Sequence, residues 1–369
     1  MRLSGIRAAG YVAVMSRRLL LAVVVLLPVI AATSHAASST ISPCRQVSSP
    51  AWSPDGSQIV FYGRRWPPPK GHAVAGNILR AFCVMNADGT NLGPLDHTVC
   101  SEHCPDLPWQ IAWPAADELV ALRGEDVLKF APGSEPKSIA TVNDMKFSLD
   151  PAADRLAAGP NYGPCAFCAG PVTTISLATG KVVGTAGGKT VENTSPSLSP
   201  DGKKVAFERS ASDDSGREFG IWKAYANGRG LKQLAKSGDK PMWSPVAGEI
   251  AYVWWSGKTV ALRLVPASGR KSRILVPGSV ENVFGWSPDG RYVAFETGTG
   301  TFGRLAVVDV TTGKLRRLLR LYYSPLAVWK PDSTELLAYS STTSGGKCWT
   351  LTRVPIDGST PTIVESCNS

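Results

Sequence analysis

The 369-residue chain lacks the linear signatures of common hydrolases and nucleotide-binding enzymes. It has no G-x-S-x-G elbow to present a nucleophilic serine and no H-E-x-x-H pair to hold zinc. The run VGTAGGKT at 183–190 carries Val183 where a phosphate-binding loop needs its first glycine, and DDSG at 213–216 lacks the spacing of a calcium loop. Neither a catalytic residue nor a cofactor is expected from motifs, although a propeller channel can hold a lyase or hydrolase site that no linear motif reveals. Histidine is scarce, with four residues in all. Lys and Arg total 39 against 29 Asp and Glu, but they are spread along the chain, which argues against a nucleic-acid groove. Beyond the first 36 residues no stretch approaches the ~18 uninterrupted apolar residues of a membrane span.

The amino terminus is the one place where apolar residues run together. LLLAVVVLLPVIAA at 19–32 follows Arg17 and Arg18 and leads to Ser34-His35-Ala36, a small-x-small cleavage site. A Sec-type signal peptide over 1–36 is expected, with Met1 or Met15 as initiator, and no cysteine stands near the cleavage site to take a lipid anchor. Export to the periplasm, the cell envelope or the medium follows as an expectation. Loss of four arginines with the leader lowers the formal net charge from +10 to +6, a mild attraction to anionic envelope polymers.

What the chain has in abundance is one repeated pattern. An apolar anchor precedes a Ser-Pro-Asp-Gly-like turn and an alternating apolar run in WSPDGSQIVFYG from Trp52, LSPDGKKVAFER from Leu198, WSPVAGEIAYVW from Trp243, WSPDGRYVAFET from Trp286 and WKPDSTELLAYS from Trp329. Degraded copies surround Trp113 and Phe147. The anchors are separated by 61, 34, 51, 45, 43 and 43 residues, a period that belongs to a four-stranded propeller blade. In each copy the alternation predicts a strand, the Asp-Gly a tight turn, and a second turn such as ADG at 87–89 or TTG at 311–313 a further hairpin. One such sheet cannot cover both its faces, so the blades must stack around an axis.

The expected architecture is all-β. It is a single propeller of four-stranded antiparallel blades over 50–367, seven in number with six as the alternative, after a short segment at 37–49. The blades fall near 50–95, 108–140, 142–186, 193–235, 239–275, 282–319 and 324–367. The recurring Trp52, Trp243, Trp286 and Trp329 then belong to packing between blades, and Asp55, Asp201 and Asp289 to turn capping rather than to a catalytic set.

The W-S-P-D-G-[K/R/S]-x-[IV]-[AV]-F run, with later strands ending in A-D-G or T-T-G, resembles the WD40-like repeats of TolB-type β-propellers. The resemblance implies the propeller fold and an extracytoplasmic setting over roughly residues 50 to 366. It departs from TolB in beginning its repeats about a dozen residues after the leader, without the amino-terminal α/β domain, and in carrying seven repeats where six are implied. The Tol–Pal role is therefore not carried over.

All eight cysteines lie outside the leader, an even count that favours disulfides in an exported chain. Cys348 and Cys367 are equidistant from the Asp357-Gly358 turn and are expected to face each other across the last hairpin. Cys100 with Cys104, Cys165 with Cys168, and Cys44 with Cys83 are the remaining expected pairs. Zinc held by His97, Cys100, His103 and Cys104, or by Cys165 and Cys168, is the alternative.

Loop lengths carry the functional expectation. The turns between first and second strands and between third and fourth are short, whereas those at 63–77, 96–108, 159–171 and 210–218 are long, and antiparallel order puts all four on one face. Arg64, Arg65, Trp66, Lys70, His72, His97 and His103 fall there and form the expected partner-binding set. The partner class is a protein or a cell-envelope polymer, bound by a monomeric, non-catalytic scaffold. A propeller enzyme acting on an extracellular carbohydrate or peptide is the alternative, and loops that are merely tolerated insertions are the bland one.

Overall fold

A computed structural model describes residues 44, 48–64, 80–95, 110–123, 126–142, 146–149, 154–160, 169–210, 219–299, 302–322, 326–341 and 349–366. The expected leader and the segment after it, up to residue 43, lie outside these. Twenty-eight strands build seven antiparallel sheets of four. Blade 1 holds β1 (Ser48–Trp52), β2 (Gln58–Arg64), β3 (Arg80–Asn86) and β4 (Gly93–Pro94). Blade 2 holds β5 (Gln110–Ala115), β6 (Glu118–Arg123), β7 (Asp126–Phe130) and β8 (Lys137–Thr141), and blade 3 β9 (Lys146–Leu149), β10 (Arg155–Gly159), β11 (Val172–Ser176) and β12 (Val182–Ala186). Blade 4 comprises β13 (Glu192–Leu198), β14 (Lys204–Ser210), β15 (Gly220–Tyr225) and β16 (Lys232–Ala235), and blade 5 β17 (Asp239–Trp243), β18 (Glu249–Ser256), β19 (Thr259–Pro266) and β20 (Arg273–Pro277). Blade 6 comprises β21 (Val280–Trp286), β22 (Tyr292–Thr299), β23 (Phe302–Asp309) and β24 (Leu315–Tyr322), and blade 7 β25 (Leu326–Trp329), β26 (Glu335–Ser341), β27 (Trp349–Pro355) and β28 (Thr362–Ser366). The fold is the seven-bladed propeller that the repeat implied, and no helix among the described residues is long and apolar enough to cross a membrane.

The first strand of each sheet touches the first strand of the next, from β1 through β5, β9, β13, β17, β21 and β25 back to β1. These strands therefore surround the axis, and the fourth strands form the outer wall. Alternation within each sheet sends successive side chains to opposite neighbours. On β2, Ile59 and Phe61 pack toward blade 7, while Val60 and Tyr62 pack toward blade 2. The apolar core is accordingly divided into seven slabs, one per inter-blade junction. Ala157 and Val172 of blade 3, for example, meet Val205, Phe207 and Ala224 of blade 4.

The anchor residues sit in these slabs. Trp52, Trp113, Trp243 and Trp286 are buried and Trp329 is half-buried. Two reach backward into the preceding blade, Trp286 Nε1 donating to the Met242 carbonyl at 3.0 Å and Trp329 Nε1 to the Gly285 carbonyl at 3.1 Å. Packing between blades is thus their role, with a directional bond added.

Each sheet uses four consecutive strands, so no strand is exchanged to close the ring. Blade 7 meets blade 1 through Leu337 and Leu351 against Trp52, Phe61 and Met85, and through polar groups at the edge of that slab. Arg353 grips the buried Glu335 with Nε and Nη2 at 2.9 and 2.8 Å and reaches the Ala87 carbonyl of blade 1 at 3.4 Å. Lys330, which occupies the turn position held by serine in blades 1, 4, 5 and 6, pairs with Asp332 and Glu335 at 3.0 and 3.3 Å and lies over the Trp52 ring at 5.9 Å from its centre. Burial works against its charge, but the two carboxylates outweigh that and raise its pKa. Trp52 Nε1 is buried without an acceptor among the described residues, so the backward bond of Trp286 and Trp329 is replaced at this junction by a cation over the ring.

Phe207 is fully buried in the slab between blades 3 and 4. Phe207→Ala is expected to destabilise the protein by about 3–5 kcal/mol, read as a lower urea midpoint with an unchanged denaturant slope. A loss below about 1 kcal/mol would mean that the slabs do not carry the stability.

Candidate functional site

The Asp residues of the repeat are consumed by the turns. Ser53 Oγ donates to Asp55 Oδ1 at 2.6 Å and accepts from the Gln58 amide at 2.9 Å, while Asp55 Oδ1 also accepts from the Ser57 amide. Ser199, Asp201, Lys203 and Lys204 repeat this clasp, as do Ser287, Asp289, Arg291 and Tyr292. The Ser53 hydroxyl, then the Ser57 amide, hold the Asp55 carboxyl at about 2 against an ordinary 3.8, and Asp201 is likewise lowered, first by Ser199. These are turn-capping carboxylates, as expected.

Of the residues expected to meet a partner, Arg64 ends β2, where only its backbone is described, while Arg65, Trp66, Lys70, His72, His97 and His103 lie outside the described residues. Cys100, Cys104, Cys165, Cys168, Cys348 and Cys367 lie outside them too. Cys44 and Cys83 form a disulfide, with Cα atoms 5.7 Å apart and both side chains fully buried beside Trp52 and Phe61. The strand order does place the β2–β3, β4–β5, β10–β11 and β14–β15 connections on one face, opposite the clasped turns. The symmetric register used to set Cys348 against Cys367 needs a correction. It holds at Arg353–Thr362 and Thr352–Ile363, then a bulge shifts it by one residue at Leu351–Glu365.

Polar groups gather on the long-loop side of blade 2, where Ser138 and Thr141 donate to Asp126, and more extensively in blades 4 to 6. Three axial strands bulge at the third residue before the anchor, where Ser49, Ser195 and Lys240 have φ of 49°, 52° and 50°. Each precedes a proline: Pro50, Pro196 or Pro241. Proline offers no N–H to the neighbouring strand, and the extra residue of a bulge absorbs the lost bond. At Lys240 the bulge lets Nζ reach blade 6, where it donates to Asn282 Oδ1 at 2.8 Å and to the Glu281 carbonyl at 3.2 Å. Asn282 Nδ2 in turn donates to Glu296 Oε2 at 2.7 Å.

Glu296 is 7% exposed and lies against Gly303, where a Cβ would collide with its Oε1. Burial raises its pKa and the nearby Glu281 adds to the rise, while Asn282 and Lys240 oppose it. Glu208 occupies the same repeat position in blade 4 and accepts from Thr194 Oγ1 at 3.2 Å. Val253 stands there in blade 5 and Tyr62 and Tyr339 in blades 1 and 7, so the acid is specific to two blades. Chemically, Glu296 is a carboxyl group able to hold a proton beside a fixed amide and a cation. The sequence signal for it is the Glu after VAF in VAFER and VAFET, where the other copies carry tyrosine, leucine, glycine or valine. Among the described residues no three His, Cys, Asp or Glu side chains are grouped to hold a metal.

No family model matches the chain, and no curated protein matches it. Among solved structures, an oligogalacturonate lyase in complex with manganese aligns with a TM-score of 0.63 at 14% identity, over 85% of this chain and 89% of that one. An oligogalacturonate lyase from Vibrio parahaemolyticus gives 0.59 at 13% identity, over 88% and 89%. TolB from Acinetobacter baumannii gives 0.49 at 14%, over 83% and 79%. At such identities the likeness is one of fold. TolB proteins are among the structural neighbours.

The clasps predict an acid limb. A carboxyl with a lowered folded pKa stabilises above its unfolded value and loses that stabilisation as pH falls through the folded one. For Asp55 the window runs from about pH 4 down to about 2. Replacing Ser53 and Ser199 together with alanine should lower the melting temperature at pH 7 and narrow the gap to wild type as pH drops through that window. A gap independent of pH would show that the hydroxyls do not act through the carboxylates.

Proposed function

We propose that this protein is an exported, non-catalytic binding module that captures a protein or a cell-envelope polymer through its long-loop face. The observation that carries the reading is the asymmetry between the two faces. One is sewn into short clasped turns, while the longest connections, at 65–79, 96–109, 161–168 and 211–218, all leave from the other. Export is supported by the apolar leader pattern and by the Cys44–Cys83 disulfide, since such bonds persist in oxidising compartments. The sequence from the end of β2 groups Arg64, Arg65, Trp66, three prolines at 67–69 and Lys70, a cationic and aromatic composition in which the prolines reduce the ordering entropy lost on contact.

Replacing Arg64, Arg65 and Trp66 with alanine should weaken partner capture by roughly 2 kcal/mol or more and leave the melting temperature nearly unchanged. Undiminished capture in a pull-down from the exported fraction overturns the assignment of this loop. A fall in melting temperature along with capture would assign the loop to packing.

One observation favours a second reading, a propeller enzyme acting on a carbohydrate or peptide. Glu296 is a buried carboxyl with a raised pKa next to the axial strands. A panel of polysaccharides and peptides separates the two. Turnover by the wild type that disappears in Glu296→Gln would establish an enzyme, and absence of turnover across the panel would leave binding as the function.

A further inference from the structure

At the periphery of blade 6, on the side facing blade 5, lies a hollow of about 240 Å³ lined by Ser279, Thr297, Gly298, Gly303, Arg304, Arg317 and Arg320. The pattern of β23 and β24 explains why three arginines line it. Ala306 and Val308 face blade 5, so Arg304 does as well. Arg320 pairs directly with Arg304, and Arg317 pairs with Ala306 across a bulge that keeps it on the same side. Thr297 pairs with Arg304 across β22 and β23 and faces the same side, where its small side chain lines the hollow.

Like charges directly opposite each other across a sheet repel and destabilise it. No acidic residue lines the hollow, and none of the three arginines has a carboxylate partner among the described residues, in contrast to the paired Arg273, Arg291 and Arg353. This blade therefore keeps a concentrated positive charge uncompensated. An oxyanion between the guanidinium groups would relieve the repulsion and could accept bidentate bonds from each fork.

A second feature shares the groove. Ala251, Val253 and Trp255 alternate along β18 toward blade 6, and Trp255 remains 41% exposed at the loop end of that strand. Trp255 pairs with Val260, whose carbonyl accepts from the Gly278 amide, and Gly278 precedes Ser279 of the hollow. An apolar indole face thus stands at the same end of the groove as the arginines. A sugar ring offers a flat C–H face to an indole and, when acidic, a carboxylate or sulfate to an arginine.

We propose that the groove between blades 5 and 6 binds an acidic polysaccharide, with Arg304, Arg317 and Arg320 taking its carboxylate or sulfate groups and Trp255 stacking on a sugar ring. The site shares no residue with the Arg64–Lys70 segment and stands whether or not that segment captures a partner.

The test uses the full mature chain, titrated by calorimetry with a polyuronate oligosaccharide, a sulfated oligosaccharide, a neutral oligosaccharide of equal length, a single-stranded oligonucleotide and polyglutamate. Binding is expected for the carboxylated or the sulfated oligosaccharide, with the tighter of the two identifying the oxyanion, and it should weaken as salt is added. The Arg304→Ala/Arg320→Ala variant should lose at least tenfold in affinity and Trp255→Ala several-fold, while Arg304→Lys/Arg320→Lys falls between wild type and the double alanine. The double alanine variant should melt no lower than wild type, because it removes a like-charge pair. A control that removes two exposed cations elsewhere, Lys189→Ala/Arg229→Ala, should bind as wild type. The proposal is overturned if the neutral oligosaccharide binds as well as the acidic ones, if the control loses as much as the arginine variant, or if the oligonucleotide or polyglutamate binds tighter than either acidic sugar.

Discussion

Everything in this molecule depends on the junction where blade 7 meets blade 1. A seven-membered ring of sheets is stable only if the last slab forms, and here it forms without a shared strand. The apolar part, Leu337 and Leu351 against Trp52, Phe61 and Met85, resembles the other six junctions. The polar part does not. Lys330 displaces the turn serine used in four other blades, is held by Asp332 and Glu335, and places its charge over Trp52. Arg353 holds the same Glu335 and reaches across to the Ala87 carbonyl. Glu335 thus faces two cations from a nearly dry position, where loss of one partner leaves the rest poorly compensated. The Cys44–Cys83 bond reinforces the same slab by tying the residue ahead of β1 to β3.

The fold was legible because the demands of inter-blade packing are written locally. An apolar anchor and a two-residue alternation are needed in every blade, so even the copies around Trp113 and Phe147, which lack the Asp-Gly turn, form sheets of four strands. The turn itself is dispensable. Val246 and Ala247 still bond to Ser244 in blade 5, where the Asp-Gly is replaced. Counting outward from a turn failed where a bulge intervened, as between Leu351 and Thr352, because bulges arise from backbone bonding that a residue count does not register.

The polar features of blades 5 and 6 were less legible for a related reason. Lys240, Asn282 and Glu296 come from three strands of two blades, and their proximity depends on the bulge before Pro241. Arg304, Arg317 and Arg320 read in sequence as scattered surface charge. Only the pairing of β23 with β24 puts them on one side of one sheet. Repeat alignment nonetheless carries a hint in both cases. The acid after the VAF strand and the run of arginines in LRRLLR each break a pattern that the other blades keep.

The absence of strand exchange has a topological consequence. With every blade made of consecutive strands, the seven junctions are equivalent in connectivity, and the point at which the backbone is interrupted is arbitrary. Joining Ser366 on the outer wall to Ser48 at the axis must cross three inter-strand spacings, roughly 15 Å. A linker of about five to seven residues spans that distance. New ends opened in the crossover between blades 4 and 5, at Lys236–Gly238, would leave each sheet intact, while a junction made at Ser48 gives up Cys44 and its bond to Cys83. Such a circular permutant would turn the present terminal junction into an internal one and make an ordinary slab, the one holding Trp243 and Tyr252, the seam of the ring.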